Sequence, residues 1–98
     1  GNVILPEEYK MIEGYILGPE VNLKDAELSN SNLRETNFSS SNLSNSNLSG
    51  VDLYKSNLYN TDLKYANLEN ANLDSVHLSS VDLKNANLEG ADLRSILL

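Results

Sequence analysis

The sequence has no cysteine and no tryptophan, and its 98 residues include one histidine, one methionine, one phenylalanine and two prolines. Without cysteine the chain has no disulfide, no thiolate nucleophile and no cysteine-ligated metal site. A single histidine also excludes a paired-histidine metal site within one chain. Aromatic residues make up 6% of the sequence, so a core must be built from aliphatic and small side chains.

Positive charge is scarce as well. Seven Lys and Arg residues stand against fourteen Asp and Glu residues, which gives a formal net charge of −7. Because a chain of this sign repels phosphate backbones and anionic lipids, we expect no direct binding of nucleic acid and no binding to a membrane surface. No apolar run approaches the roughly 20 residues that span a bilayer.

One feature of the sequence recurs without exception. Leucine or phenylalanine occupies every fifth position from Leu23 to Leu98. A step of five would scatter these side chains around a helix, and an odd step would send them to alternate faces of a continuous strand. Two positions before each centre lies a small or β-branched residue, and an Asn or Asp lies between the two, except at Glu27, His77 and Leu97. Each unit therefore predicts an inward, outward, inward strand followed by a two-residue corner.

Four units show the pattern in its purest form: Ala66-Asn67-Leu68, Ala71-Asn72-Leu73, Ala86-Asn87-Leu88 and Ala91-Asp92-Leu93. They match A-(D/N)-L-x-x, the unit of the pentapeptide-repeat family, which the chain resembles over residues 21–98. The resemblance implies an all-β solenoid, a right-handed quadrilateral parallel β-helix with four units per coil and about four coils. Residues twenty apart would then stack, and we expect the stacked asparagines to form side-chain amide ladders.

Residues 1–20 break the repeat, and we expect them to form an N-terminal cap on the β-helix of residues 21–98. The segments 9–12 and 15–17 predict a short capping hairpin, in which Gly14 supplies the positive φ of a tight turn.

The alternative for this cap is a helix of one or two turns that begins at Pro6 and ends before Gly14. In either form we expect the apolar side chains of the segment to cover the open end of the leucine column; they are Leu5, Met11, Ile12 and Ile16.

The C-terminal units end in mid-coil, and Leu97 occupies an outward slot that is polar in the other repeats. An uncovered β-helix end presents unpaired backbone groups and apolar side chains. Either flanking domains of a larger parent protein follow it, or two copies associate end to end through the C-terminal coil. Residues 5–23, LPEEYKMIEGYILGPEVNL, are similar to segments that introduce pentapeptide blocks in larger bacterial proteins, often secreted or on the surface; the compartment itself stays open.

No group of residues in the sequence predicts catalysis, a cofactor or a bound metal. His77 occupies an outward position, and the serines lack a motif that would supply an activating base. Stacked acids such as Asp62 and Asp82 lie beside lysines, which favours solvated carboxylates over a cation site. The candidate interaction surface consists of outward tyrosines in the middle coils and the two last leucines: Tyr54, Tyr59, Tyr65, Leu97 and Leu98.

These observations predict a non-enzymatic structural or interaction module, a rigid β-helical scaffold or spacer with a protein partner of unknown identity. The family resemblance offers one alternative, since its quinolone-resistance members resemble DNA in shape and charge and act on DNA gyrase. Such mimicry requires a coherent acidic stripe. Here basic residues interrupt the acidic faces: Lys24, Lys64 and Lys84 on one, Arg34 and Arg94 on another.

Overall fold

In the computed structural model, which describes all 98 residues, the chain winds into a four-sided coil with twenty residues per turn. Parallel bridges join each outward residue to the one twenty positions later, from Asn22 and Asn42 through to His77 and Leu97. We number the sides by their bridged residues: side 1 (22, 42, 62, 82), side 2 (27, 47, 67, 87), side 3 (32, 52, 72, 92) and side 4 (37, 57, 77, 97). The expected four-sided parallel β-helix is therefore present.

Backbone hydrogen bonds connect successive coils on every side. On side 1 the N–H of Leu23 donates to the carbonyl of Asn42 (2.7 Å), and the N–H of Asn42 donates to the carbonyl of Val21 (3.0 Å). A third bond runs between corners, from the N–H of Asp25 to the carbonyl of Ser44 (3.0 Å). The same three bonds recur along the coil, so each coil is held by its immediate neighbours, as in other solenoids.

The corners turn through a residue in the left-handed region. Every fifth residue from Glu20 to Ser95 has a φ between 55° and 72°. At most corners the next amide donates to the carbonyl of the preceding leucine, as Ala26 N–H does to Leu23 (3.1 Å). A positive φ at the third residue of such a turn is the geometry of a type II turn. Non-glycine residues adopt it here because burial of the leucines and the coil-to-coil bonds hold the backbone in place.

The core is a column of leucines lined by small side chains. The central side chains from Leu23 to Leu73, including Phe38, are buried. Each such burial contributes about 1.5–3 kcal/mol relative to an exposed side chain. In the last coil the column opens, because Leu83 and Leu88 are only partly buried and Leu93 and Leu98 are exposed.

The N-terminal cap is the hairpin rather than the helix. Strand β1 (Lys10–Ile12) pairs antiparallel with strand β2 (Tyr15–Leu17), with Ile12 opposite Tyr15. Both residues of the connecting turn have a positive φ, 53° at Glu13 and 82° at Gly14, as a type I′ hairpin turn requires. The structure contains no helix that is long and apolar enough to cross a membrane.

Strand alternation decides which hairpin side chains cover the core. Ile12 and Tyr15 pack against the leucine column and Leu17 is fully buried in it. Met11 and Ile16, one position away on each strand, are 56% and 41% exposed. The expectation that Met11 and Ile16 close the column is therefore wrong, because successive strand residues point to opposite faces.

Candidate functional site

The outward Asn and Asp residues cap their own corners. The side-chain oxygen accepts a hydrogen bond from the amide two residues later, as Asn67 Oδ1 does from Glu69 N–H (3.0 Å). Thirteen outward Asn and Asp residues make this bond. It is absent only at the three units that lack Asn or Asp. The predicted amide ladders do not form, since side-chain amides that reach another coil bond to acids or to a serine, as Asn72 does to Asp52 (3.2 Å).

Lys64 forms ion pairs with both of the stacked acids on side 1. The ammonium of Lys64 lies 3.0 Å from Asp62 and 3.7 Å from Asp82, so it occupies the space between two acids that a bound cation would need. Burial raises the pKa of Asp62, but hydrogen bonds from the Lys64 amide and ammonium more than offset it and leave the pKa below its usual value. No three of the chain's His, Asp and Glu side chains are grouped so as to hold a metal ion.

A second set of ion pairs runs along side 3. The guanidinium of Arg34 bonds to Asp52 in the next coil, and Arg94 bonds to Asp92 and reaches Asp74. Burial raises the pKa of Asp52, but hydrogen bonds from the Arg34 side chain and the Tyr54 amide lower it by more. The pKa of Asp52 is therefore below its usual value. The basic residues of this side are therefore held by acids of the fold itself.

The three candidate tyrosines lie at three different corners: Tyr54 follows side 3, Tyr59 follows side 4 and Tyr65 follows side 1. The Tyr54 ring contacts the cation of Arg34, 5.1 Å from the ring centre. The Tyr59 ring packs at 5.7 Å against His77, and Tyr65 is exposed. The structure does not bring the three together, and their role in binding stays a prediction.

His77 makes the one side-chain contact in the chain that resembles a nucleophile and its base. Its Nε2 lies 2.8 Å from Ser79 Oγ. A serine activated in this way also needs a group that orients the imidazole, and no side chain bonds to the second ring nitrogen. The pair therefore has the geometry of a local corner contact.

Leu97 and Leu98 belong to a larger surface, which we call the C-terminal edge and define by Leu83, Leu88, Leu93, Leu97 and Leu98. Leu97 is 59% and Leu98 88% exposed. In earlier coils the amide of each central leucine donates to the following coil, as Leu63 does to Asp82 (2.9 Å). The amides of Leu83, Leu88 and Leu93 have no such partner. The sequence indicated Leu97 because its outward slot is polar in the other units, and Leu98 because it ends the last unit. Leu93 has an ordinary place in the repeat, and only its exposure reveals it.

The residues before the repeat and the first coil enclose a cleft of about 360 Å³ at the other end of the rod. We call it the N-terminal cleft; it is lined by Glu8, Tyr9, Lys10, Glu35, Thr36 and Asn37. Sequence reasoning missed it, because it depends on where residues 8–10 lie against the coil and no motif encodes that.

Two buried hydroxyls near this end of the rod, those of Ser31 and Thr36, have no hydrogen-bond partner. In the next coil Ser56 Oγ donates to the carbonyl of Leu33 (2.7 Å) and accepts from the amide of Thr36 (3.1 Å). These partners lie 23 and 20 residues earlier. For Ser31 and Thr36 the equivalent positions fall in residues 8–16, which form the lead-in and hairpin instead of a coil, so both hydroxyls are left unpaired.

The family model of pentapeptide repeats matches the sequence over residues 22–58 and 56–94, with eight copies of the repeat. Among solved structures, the pentapeptide repeat protein Rfr23 from the cyanobacterium Cyanothece 51142 is 39% identical with a TM-score of 0.75, over 78% of this chain and 52% of that one. A pentapeptide repeat protein from Nostoc Pcc 7120 is 35% identical with a TM-score of 0.62, over 74% of this chain and 60% of that one. No curated protein matches the chain.

The plasmid-mediated fluoroquinolone resistance protein QnrB1 is 18% identical with a TM-score of 0.52, over 76% of this chain and 46% of that one. At that identity the likeness shows the fold alone. This chain spans about half to three-fifths of the length of the two cyanobacterial proteins. The neighbours are right-handed β-helices, which confirms the expected hand of the coil. With its repeats matched over most of its length, the chain belongs to the pentapeptide repeat family.

Proposed function

We propose that the protein is a non-enzymatic structural module, a rigid β-helical scaffold or spacer that associates through its C-terminal edge. The observation that supports this proposal is the pairing pattern of the coil. Three backbone bonds per side join each coil to the next, and the same groups are left open in the last coil beside exposed leucines.

Rigidity follows from how each coil is held. Its leucines are buried between the neighbouring coils, and the caps on the outward Asn and Asp residues fix the corners. The molecule measures 41 × 22 × 19 Å, about twice as long as it is wide. A rod of this kind keeps whatever is attached to its two ends at a set distance.

The C-terminal edge fits another coil of the same kind, and for these 98 residues a second copy of the chain can supply it. The unpaired amides of Leu83, Leu88 and Leu93 recur once per side, as the amides that pair in the earlier coils do. A second copy would also cover Leu97 and Leu98. Burying apolar surface contributes about 25 cal/mol per Å². Pairing would also satisfy the open N–H and C=O groups of the edge, which could otherwise pair with other chains and cause aggregation.

Size-exclusion chromatography with light scattering tests this association. We expect the wild-type chain to form a dimer at high concentration and Leu97→Asp to be monomeric. Asp is compatible with the outward slot, since Asp52, Asp62, Asp82 and Asp92 occupy it elsewhere. Asn57→Asp, which places the same residue in the same outward column two coils earlier and keeps the oxygen that caps the Tyr59 amide, is the matched control. A wild-type monomer, or a dimer that Leu97→Asp leaves intact, would contradict association through this edge.

No specific observation favours the alternative of a DNA mimic that acts on DNA gyrase. Lys64 and Arg94 are paired with the acids around them, so the acidic columns carry positive charge at intervals along the rod. A supercoiling assay with micromolar protein checks this, and we expect neither inhibition nor protection of the enzyme.

A further inference from the structure

Side 4 has no charged residue in any of its units. These units are residues 36–40, 56–60, 76–80 and 96–98, and they contain no Asp, Glu, Lys or Arg. Side 2, the next poorest in charge, still carries a glutamate in three of its four units, at Glu27, Glu69 and Glu89. Lys55 borders side 4 at the preceding corner, and Asn37 Nδ2 donates to Glu8 at its N-terminal end (3.2 Å). We call the middle of this side the neutral face and define it by Asn57, Tyr59, Asn60, His77, Ser79 and Ser80.

An aromatic pair lies on the neutral face. The ring of Tyr59 packs 5.7 Å from the ring of His77 in the next coil, and Tyr59 is 44% exposed. Asn57 Oδ1 accepts from the Tyr59 amide (2.9 Å), whereas Nδ2 of Asn57 has no partner in the chain. His77 Nε2 lies 2.8 Å from Ser79 Oγ, whereas its Nδ1 has no partner. The neutral face thus combines apolar ring surface with free polar groups.

The absence of charge favours a neutral ligand on this face. Covering a charged group is costly unless the ligand pairs with it, and a neutral ligand offers no such pair. On sides 1 and 3 the outward carboxylates of Asp52, Asp62 and Asp92 are engaged in ion pairs, which a neutral ligand would cover without compensation. An anionic ligand is disfavoured as well, because the chain has a formal net charge of −7 and repels negative charge. The neutral face therefore selects ligands that bind through hydrogen bonds and apolar contacts.

The groups on the neutral face favour a sugar over a protein. Its backbone is already paired between coils, as the N–H of Leu58 is with the carbonyl of His77 (3.0 Å), so no strand of a partner can be added. Beyond the aromatic pair it presents Asn and Ser side chains, and the apolar centre of a protein interface is missing. A pyranose ring has an apolar C–H face, which packs on an aromatic ring, and hydroxyl groups at its rim, which bond to amides. The Tyr59 ring and the Asn57 amide match these two features.

We propose that the neutral face binds an extended, uncharged polysaccharide. One sugar ring stacks on Tyr59, and hydroxyls of the chain bond to Asn57 Nδ2 and His77 Nδ1. The coils repeat about every 4.8 Å in a straight column, which fits an extended β-1,4-linked chain better than a coiled α-1,4-linked one. Sites for single small molecules are concave, whereas this face is the side of a coil and suits a chain that contacts it repeatedly. The site does not depend on the association proposed for the C-terminal edge.

Titration of the ¹⁵N-labelled chain with cellohexaose, a neutral β-1,4-linked glucan, tests the proposal. We expect shifts confined to the amides of residues 57–60 and 77–80. Tyr59→Ala should weaken binding about tenfold, since it removes the stacking ring, and Tyr59→Phe should bind within about twofold of the wild type because it keeps that ring. Tyr54→Ala is the matched control, because Tyr54 occupies the same slot of its unit on the charged side 3. It should leave binding unchanged.

Two further ligands test the selectivity of the face. Hexamannuronate, a β-1,4-linked chain with a carboxylate on every ring, should bind about tenfold more weakly than cellohexaose. Maltohexaose, an α-1,4-linked glucan, should also bind more weakly, because its chain coils away from the column. Binding of either ligand as tight as that of cellohexaose would overturn the proposal.

Three other results would overturn it as well. One is an absence of local shifts at millimolar cellohexaose, and another is equal weakening by Tyr59→Ala and Tyr54→Ala. The third is a set of shifts on the neutral face that appears when the chain alone is concentrated, which would assign this face to a second copy of the chain.

Discussion

Gly50 packs so closely against Asn30, one coil earlier, that a β-carbon at position 50 would lie 2.2 Å from Asn30 Oδ1. Gly90 has the same relationship to Asn70, at the same distance. This corner column therefore alternates Asn and Gly along the rod, and each asparagine amide fills the space left by the missing side chain of the next glycine. The two glycines are required by a contact between coils in addition to their positive φ.

We expect Gly50→Ala to destabilise the fold for two reasons. Gly50 has a φ of 65°, and an L-residue in that region costs roughly 1–2 kcal/mol. The new β-carbon would also displace the Asn30 amide. Urea unfolding measures the sum, and the same change in an Asn30→Ala background measures the part due to the amide. Lys55→Ala, at a corner with a φ of 58°, should be nearly neutral. Equal losses with and without Asn30 would show that the close contact has no energetic effect.

Asn67 and Leu68 test the register of the repeat. Asn67→Ala removes the oxygen that caps the Glu69 amide, and a typical hydrogen bond contributes about 1 kcal/mol. Asn67→Asp keeps an oxygen in the same place and should cost much less. Leu68→Lys would bury a charge in the centre of the column and should unfold the chain. Thermal unfolding followed by circular dichroism compares the three, and similar losses for all of them would mean that the inward and outward positions are wrongly assigned.

The five-residue period was enough to predict the coil, because only a turn every fifth residue puts Leu63, Leu68 and Leu73 on the same inner column. The role of the outward asparagines could not be read from the same pattern. Stacking and corner capping both require Asn or Asp at that slot, and only the geometry shows that the Asn67 oxygen faces its own corner. Likewise the hairpin could be predicted from Gly14, but not the side of it that faces the core.

The candidate sites could not be predicted from the sequence, because the path of the coil and of the lead-in decides which of their residues lie close together. Tyr54, Tyr59 and Tyr65 are close in sequence, yet a corner every five residues places them on different edges of the rod. The N-terminal cleft combines Glu8 with Glu35, 27 residues apart, and the path of the lead-in decides that they meet. Ser31 and Thr36 match the repeat as well as Ser56 does, and only the missing coil before them leaves their hydroxyls unpaired.

Acidification should weaken the fold through Asp52 and Asp62, whose pKa values are depressed because hydrogen bonds outweigh burial. A carboxyl with a lowered folded pKa stabilises the fold above its unfolded pKa, and this contribution is lost as the pH falls through the folded value. We expect the melting temperature to be steady near neutral pH and to fall below about pH 4. Salt should reduce the effect, since these pairs are partly exposed.

The control for this pH dependence is the double variant Asp52→Asn, Asp62→Asn. Asparagine keeps the oxygen that caps the amides of Tyr54 and Lys64 but does not titrate. The variant should therefore lose part of the acid-dependent decrease in melting temperature. An unchanged decrease would assign it to other carboxyl groups of the chain.

Ser31→Ala and Ser56→Ala should change stability in opposite directions, although both remove an inward hydroxyl from the same repeat position. The Ser31 hydroxyl is buried without a partner, so its removal should stabilise the fold by about 1 kcal/mol. The Ser56 hydroxyl bonds to Leu33 and Thr36, so its removal leaves a buried carbonyl and amide unpaired and should cost about 1–3 kcal/mol. Urea unfolding of the two variants checks the signs. A loss of stability in Ser31→Ala would show that its hydroxyl has a partner in solution. It would contradict the explanation that the hydroxyl is unpaired because residues 8–16 do not form a coil.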